Sequence, residues 1–162
     1  MTAIRKIFFD TTSRKNFKDD KERQQFFESW TSFYIDHHPE DVLMAFNEKD
    51  QLMAYLTGCR DSEQAKEVLS TRTDSYTLFE DQFAEFPAHL HINASANFQG
   101  QGVGGILIQE YISNLKDSGV KGLHIVTSGD SRNINFYKKN GFTEEIERDF
   151  NGSRLRFMGI KL

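Results

Sequence analysis

Apolar and polar positions in the first half of the chain predict a strand, a helix and a hairpin. Residues 4–10, Ile-Arg-Lys-Ile-Phe-Phe-Asp, form a short β-prone run that predicts a first strand. A helix is expected from about Asp19, because a capping residue there precedes aromatic residues at helical spacing. Val42–Phe46 and Leu52–Cys59 are apolar runs with five polar residues between them, which predicts an antiparallel hairpin. Another helix is expected to begin at Ser62.

The second half alternates strand-like and helix-like segments and ends in a hairpin. The alternating segments are, in chain order, His89–Ser95, Ile106–Leu115, Leu123–Thr127 and Ser131–Asn140. The sequence Asn151-Gly152 is typical of a type I′ turn, so the flanking runs 144–150 and 154–162 are expected to pair as an antiparallel hairpin. A strand–helix–strand unit requires a parallel crossover. The pattern therefore predicts one α/β domain over residues 1–162 with a mixed central sheet.

Composition and charge exclude several classes of protein. Hydrophobic residues make up 38% and charged residues 27% of 162, which fits neither a disordered nor a membrane-embedded chain. The single cysteine, Cys59, excludes an internal disulfide and a multi-cysteine zinc site. The net charge of −4 comes from interleaved acids and bases, so no nucleic-acid partner is expected. We expect no membrane partner either, and a cytoplasmic location, because no apolar run resembles a signal or a span.

A glycine-rich segment after the strand at His89–Ser95 carries the clearest chemical signal. Glycines at 100, 102 and 104 let backbone N–H groups approach a ligand, and the helix that begins there favours an anion at its N-terminus. A phosphate or pyrophosphate is the natural ligand, and a tight turn without any ligand is the alternative. No lysine follows the glycines, as a Walker loop requires. The match to G-x-G-x-x-G lacks the acidic residue that a dinucleotide site needs at the next strand end.

The same residues resemble motif A of the general N-acetyltransferase (GNAT) superfamily, Gln/Arg-x-x-Gly-x-Gly/Ala. Gln99, Gly102 and Gly104 fill this pattern in register. Residues 135–142, Asn-Phe-Tyr-Lys-Lys-Asn-Gly-Phe, resemble the family's later Phe-Tyr-x-x-x-Gly-Phe motif at the expected distance. The segments 42–59 and 88–92 look like a branch that includes acetyltransferase-like domains of O-GlcNAcases. The resemblance, which covers roughly residues 40–160, implies a GNAT-like fold with helices on both faces of the sheet.

The resemblance also implies acetyl-CoA as donor and direct attack by an amine on its thioester. The backbone of Ile92, Asn93 and Ala94 would hold the pantetheine arm and the acetyl carbonyl. Asn133 would line the pantetheine arm, and Tyr137 would protonate the leaving thiolate. The residues that would cradle the pyrophosphate are Gln99, Gly100, Gln101, Gly102, Val103 and Gly104. Alanines at 94 and 96 depart from the frequent valine and proline of the family, and the central strand lacks the glutamate that serves some members as general base.

Two histidines on the central strand are the remaining candidates for proton transfer. His89 and His91 lie on one face of the strand, but no acidic or cysteine residue nearby completes a metal site, so no metal is expected. Structural hydrogen bonding and proton handling both remain open. An acceptor amine must lose a proton before it attacks, and histidine titrates near neutral pH. We therefore predict that His91 faces the acceptor with His89 behind it, and that His91 relays this proton with an acidic limb near pH 6–7.

Two functions follow as expectations. The first is an N-acetyltransferase acting on an amine of a small molecule or peptide, as a monomer or homodimer. The second is a non-catalytic acyl-CoA-binding domain. The sequence contains no motif that identifies the acceptor, although the net negative charge mildly favours a cationic one.

Overall fold

The computed structural model describes residues 2–162, which form helices and strands joined by short loops. The α-helices of these residues are α1 Thr2–Thr11, α2 Asp20–Phe27, α3 Phe33–His37, α4 Ser62–Leu69, α5 Val103–Asp117 and α6 Ile134–Lys139. The strands are β1 Val42–Phe46, β2 Leu52–Cys59, β3 Ala88–Ala94, β4 Gly122–Ser128, β5 Glu144–Phe150 and β6 Ser153–Lys161. A π-helical turn, Glu28–Ser32, joins α2 to α3. Short 3₁₀ helices lie at Pro39–Asp41, Tyr76–Gln82 and Ala96–Phe98.

The strands form one mixed sheet in the order β1-β2-β3-β4-β6-β5. The pairs β1–β2, β4–β6 and β5–β6 are antiparallel, whereas β3 and β4 run parallel. The parallel pair joins Ala88 to Leu123 and His89 to His124, at the start of β3. The predicted α/β class and mixed sheet are therefore confirmed, with a parallel β3–α5–β4 crossover between antiparallel hairpins.

The predicted first strand over residues 4–10 is wrong, because this segment lies within helix α1. Ile4, Ile7 and Phe8 follow the i, i+3, i+4 spacing of one helical face, and all three are buried. They pack with Phe27 and Tyr55 in one hydrophobic cluster. Packing of this face decides between helix and strand for a run whose residues suit both.

Most other elements lie where the sequence predicts them. Strands β1 and β2 have the predicted bounds, and the Asp19 carboxylate caps α2 by accepting a hydrogen bond from Glu22 N–H at 2.8 Å. Asn151 and Gly152 both have positive φ, 48° and 77°, as a type I′ turn requires. Helix α5 begins at Val103, three residues before the predicted start, so part of the glycine-rich segment is its first turn.

The described residues form two compact units. The first unit comprises the residues up to 58 together with 91–111, and its core is the cluster built around α1, α2 and Tyr55 of β2. The second unit comprises residues 59–90 and 112–162. Phe79, Phe86 and Phe157 form a core cluster there. Among residues 2–162, no helix combines the length and the apolar character that a bilayer span requires.

Candidate functional site

The candidate phosphate site lies in the first unit, where β3 leads into α5. After β3, Ser95 N–H donates to the Met53 carbonyl at 2.9 Å, and Phe98 N–H donates to the Ser95 carbonyl at 2.8 Å. Two glutamine side chains then hold the turn: Gln99 Nε2 donates to the Ala94 carbonyl and Gln101 Nε2 to the Asn97 carbonyl, each at 3.0 Å. The turn is therefore an ordered loop whose own side chains point back to its backbone.

Two glycines give this turn its shape. Gly100 and Gly102 have φ of 76° and 82°, a region in which other L-residues are strained. A Cβ built on either glycine meets no atom within 4 Å, so the backbone conformation, and not crowding, requires glycine. Both glycines are exposed, and so are the neighbouring side chains of Gln99 and Gln101. Residues 99–102 are thus an exposed part of the surface.

The N-terminus of α5 adds further donors to the same stretch. The first hydrogen bond of this helix runs from Ile106 N–H to the Gly102 carbonyl at 3.1 Å. The N–H groups of Val103, Gly104 and Gly105 precede that bond and belong to the set that a helix leaves without an intrahelical acceptor. Together with the helix dipole, they favour an anion at this position. The predicted pyrophosphate residues therefore comprise an exposed turn, 99–102, and the first residues of α5.

The end of β3 is half-buried, and its asparagine side chain is tied to neighbouring elements. Asn93 Oδ1 accepts a hydrogen bond from Thr11 Oγ1 of α1 at 2.9 Å, and Asn93 Nδ2 donates to the Tyr55 hydroxyl of β2 at 3.1 Å. Burial raises the pKa of Tyr55 to about 12, so its hydroxyl stays neutral. The Asn93 side chain is therefore engaged by α1 and β2, and the Ala94 carbonyl by Gln99. That the backbone of Ile92, Asn93 and Ala94 holds a ligand stays a prediction.

His91 lies between two aromatic rings of the first unit. The Tyr34 hydroxyl is 3.0 Å from His91 Nε2, and the ring centroids of Trp30 and Tyr34 are 5.5 Å and 5.2 Å from that of His91. Loss of solvent around the imidazole lowers the pKa of His91 to about 4. The imidazole is therefore neutral at pH 7. An acidic limb due to His91 is expected near pH 4, below the pH 6–7 that an unperturbed histidine suggests.

The contact between Tyr34 and His91 is not predicted by the sequence. The spacing of Tyr34 from Trp30 and Phe33 indicates a helix face, and the aromatic residues of this helix favour core packing, with a wall of an acceptor pocket as the alternative. The structure shows that Tyr34 is both buried, at 2% exposure, and hydrogen-bonded to His91. No local pattern links the two residues, which are 57 positions apart along the chain.

His89 has a different environment in the second unit. It is buried, and its Nδ1 lies 2.7 Å from Ser62 Oγ, which also donates to the Pro87 carbonyl at 2.7 Å. The rings of Tyr76 and His124 pack against the His89 ring. These contacts support the structural role that the sequence left open for this histidine.

Asn133 and Tyr137 also belong to the second unit. Asn133 Oδ1 accepts hydrogen bonds from Ser131 Oγ at 2.5 Å and from Thr127 Oγ1 at 3.3 Å. Tyr137 is 6% exposed, and burial raises its pKa to about 12. Its hydroxyl is therefore protonated at neutral pH, the state that a general acid needs. The roles of Asn133 and Tyr137 stay predictions.

Two polar features of the described residues lie outside the predicted site. The ligand atoms of His38, Glu40 and Asp41 lie within 4.8 Å of one another, and this is the one group of three such side chains among residues 2–162. The expectation that no metal takes part stays a prediction.

The second unit also has a cleft of about 570 Å³, lined by Ser128, Gly129, Asp130, Glu147, Ser153, Arg154 and Arg156. The cleft has as many acidic as basic side chains, and no pattern in the sequence indicates it.

Comparison with known proteins supports the fold and the family. The family model for the acetyltransferase (GNAT) family matches residues 1–142. No curated protein matches the sequence. Among solved structures, SsHAT is 20% identical with a TM-score of 0.75, and the match covers 99% of this chain and 92% of that one.

Two further structures extend the comparison. A ribosomal-protein-alanine N-acetyltransferase from Brucella melitensis is 20% identical with a TM-score of 0.62, covering 99% of this chain and 93% of that one. A chain of the NatC complex bound to Gag peptide and CoA is 12% identical with a TM-score of 0.65. The match covers 99% of this chain and 89% of that one. At these identities the similarity concerns the fold. The expected GNAT-like fold is confirmed, whereas the similarity to the O-GlcNAcase branch stays a prediction. The match of the family model over residues 1–142 shows that this chain belongs to the acetyltransferase (GNAT) family.

Proposed function

We propose that this protein transfers the acetyl group of acetyl-CoA to an amine and binds the CoA pyrophosphate on the turn before α5. The observation that carries the proposal is the exposed turn from Gln99 to Gly102, with Gly100 and Gly102 at positive φ, which leads directly into the N-terminus of α5. A pyrophosphate carries negative charge and many acceptor oxygens, which suits such a turn and the helix N-terminus behind it. Acetyl-CoA supplies the activated acetyl group, and the chain binds and orients it.

The backbone of β3 would orient the reacting end of the donor. Ile92, Asn93 and Ala94 follow the residues that pair with β4, and their exposure is intermediate. The hydrogen bonds of the Asn93 side chain to Thr11 and Tyr55 hold this segment in place. A thioester carbonyl held by backbone groups is positioned for attack without any covalent bond to the protein. This supports direct transfer from acetyl-CoA to the acceptor.

The acceptor is proposed to be an amine of a peptide or of a small molecule. An alkylamine with a pKa near 10 is mostly protonated at pH 7, and only its neutral form attacks a thioester. His91 is the proposed proton acceptor, directly or through water, because the imidazole is neutral at pH 7. Tyr137 is the proposed donor to the leaving thiolate, because its hydroxyl keeps its proton. Peptide acceptors are supported by the NatC structure, which is bound to a peptide and CoA.

A non-catalytic acyl-CoA-binding domain is the second candidate. The low pKa of His91 favours it, because a group that titrates near pH 4 is a weak base at pH 7. The rate at which free thiol is released from acetyl-CoA distinguishes the two functions. Release of free thiol from acetyl-CoA should accelerate when amines from a panel are added if the protein is an enzyme, and should stay at the buffer rate if it only binds CoA.

Calorimetry with a matched pair of glycine variants tests the CoA site. Gly102→Ala places a side chain at φ 82°, and Gly119→Ala places one at φ 71° after α5; a Cβ meets no atom within 4 Å at either position. Both variants should lose a similar stability, about 1–2 kcal/mol. Only Gly102→Ala should weaken CoA binding, by at least tenfold. Equal affinity in the two variants, or binding of NAD without binding of CoA, would refute the proposed site.

A further inference from the structure

The cleft of the second unit lies where β4 ends beside the hairpin of β5 and β6. Its volume of about 570 Å³ suits a small molecule. In the hairpin, Glu147 is paired with Arg156 and Asp149 with Arg154, so these four side chains share one face. Residues 128–130, which end β4 and follow it, also line the cleft. Charged side chains from two separate segments of the chain therefore line one space.

Two of the charged side chains neutralise each other. Nε of Arg156 donates to Glu147 at 2.9 Å, Nη1 donates to Glu145 at 2.9 Å, and Nη2 also donates to Glu147. The Arg156 side chain is only 20% exposed. Charge-assisted hydrogen bonds of this kind hold both partners in one geometry. Arg156 and Glu147 therefore form a fixed wall of the cleft and leave little charge for a ligand.

The other two charged side chains, Asp130 and Arg154, keep most of their charge available. Arg154 reaches Glu147 at 3.5 Å and Asp149 only at 3.8 Å, and its side chain is 63% exposed. The Asp130 carboxylate accepts a hydrogen bond from the Ser128 hydroxyl, and Asp130 forms no ion pair with any of the residues 2–162. One negative and one positive group thus lie in the same cleft without neutralising each other.

The backbone of Gly129 connects these two groups. Gly129 N–H donates to the Arg154 carbonyl at 2.8 Å, which ties the residue before Asp130 to β6. A Cβ at Gly129 would meet Cγ of Arg154 at 3.2 Å, so the aliphatic part of Arg154 lies against this glycine. The backbone segments that carry the carboxylate and the guanidinium are therefore held next to each other.

We propose that this cleft binds a small zwitterion of the amino-acid class, with its ammonium group on Asp130 and its carboxylate on Arg154. A guanidinium donates two parallel N–H groups to a carboxylate, and an ammonium group donates to the carboxylate of Asp130. A ligand with a single charge leaves one of the two protein groups unmatched, whereas a zwitterion matches both. An amino acid also has the amine that acetyl transfer requires, but the inference concerns binding and does not depend on that transfer.

NMR titration of the full-length ¹⁵N-labelled protein, without CoA and at low ionic strength, tests the binding. The ligands are free glycine, β-alanine and γ-aminobutyrate, which separate the ammonium and carboxylate groups by increasing distances. Propylamine and butyrate are the controls with a single charge. At least one of the amino acids should shift the backbone amide signals of Gly129 and Asp130, and should bind about fivefold more tightly than either control ligand.

Variants that remove one charge assign the two ends of the ligand. Asp130→Asn should bind the amino acid no better than butyrate, and Arg154→Gln should bind it no better than propylamine. Each variant should weaken binding of the amino acid about fivefold. Asp117→Asn and Lys121→Gln change the net charge equally at exposed positions of the same unit outside the cleft, and should leave the affinity unchanged.

Three results would overturn the inference. The first is that none of the amino acids shifts these amide signals at concentrations up to about 50 mM, well above the Kd expected for two exposed ion pairs. The second is equal affinity for the zwitterion and for the two ligands with a single charge. The third is unchanged affinity in both Asp130→Asn and Arg154→Gln. Because the titrations contain no acetyl-CoA, their failure is distinct from a failure of the proposed function.

Discussion

Burial of His91 should make the folded protein lose stability in acid, and His91→Gln should remove that loss. The pKa of His91 is about 4 in the folded protein, against about 6.5 in an unfolded chain. Between these values the unfolded chain binds a proton that the folded protein does not, so the free energy of unfolding falls as the pH falls from about 7 to 4. At about 1.4 kcal/mol per pH unit, the contribution of His91 is roughly 3 kcal/mol over this range.

Denaturant unfolding at pH 7, 5.5 and 4 measures this contribution as a difference between proteins. Carboxyl groups such as Glu22 and Glu145, whose pKa values are lowered by hydrogen bonds from Lys18 and Lys138, also respond to acid. They are the same in wild type and variant, so the difference between the two proteins isolates His91. The substitution itself changes the free energy of unfolding by the same amount at every pH. This constant change cancels when the values at different pH are compared.

The control for this experiment is His37→Gln, which replaces an exposed histidine of α3. It is measured over the same pH range, so that the effect of replacing a histidine by glutamine at an exposed position is known. The His91→Gln curve should be flatter than the wild-type curve by roughly 3 kcal/mol between pH 7 and pH 4. Parallel curves for wild type and His91→Gln would show that the His91 ring keeps its solvent, and that the imidazole beside Trp30 and Tyr34 is not desolvated.

Three further predictions concern single substitutions. Tyr137→Phe should lower kcat by roughly 100-fold or more while calorimetry shows unchanged CoA affinity; an unchanged kcat means that the ring only packs. Gly58→Ala places a Cβ 2.3 Å from the Tyr111 hydroxyl oxygen and should cost about 1–3 kcal/mol, seen as a lower Tm; an unchanged Tm contradicts the clash. Asp19→Ala should cost about 1 kcal/mol in denaturant unfolding and Asp19→Asn less, because asparagine still caps α2; equal losses contradict the cap.

The sequence by itself determined the elements whose signals are local. The hairpin of β1 and β2 follows from two apolar runs around a polar loop, and the turn at Asn151-Gly152 from residues that tolerate positive φ. The candidate pyrophosphate site on the turn before α5 can be predicted for the same reason. Its donors are consecutive backbone groups between Gln99 and Gly104, so a motif of glycines at fixed spacing contains the whole feature.

Only the tertiary structure decided the features that depend on partners far along the chain. Residues 4–10 suit a strand or a helix, and burial of one face against Phe27 and Tyr55 selects the helix. The proton chemistry of His91 depends on Tyr34 in the same way. The sequence identifies a histidine on a strand, but the loss of solvent that lowers its pKa and the hydroxyl at its Nε2 come from a helix folded against that strand. Desolvation and hydrogen bonding are set by neighbours in space, which local periodicity does not specify.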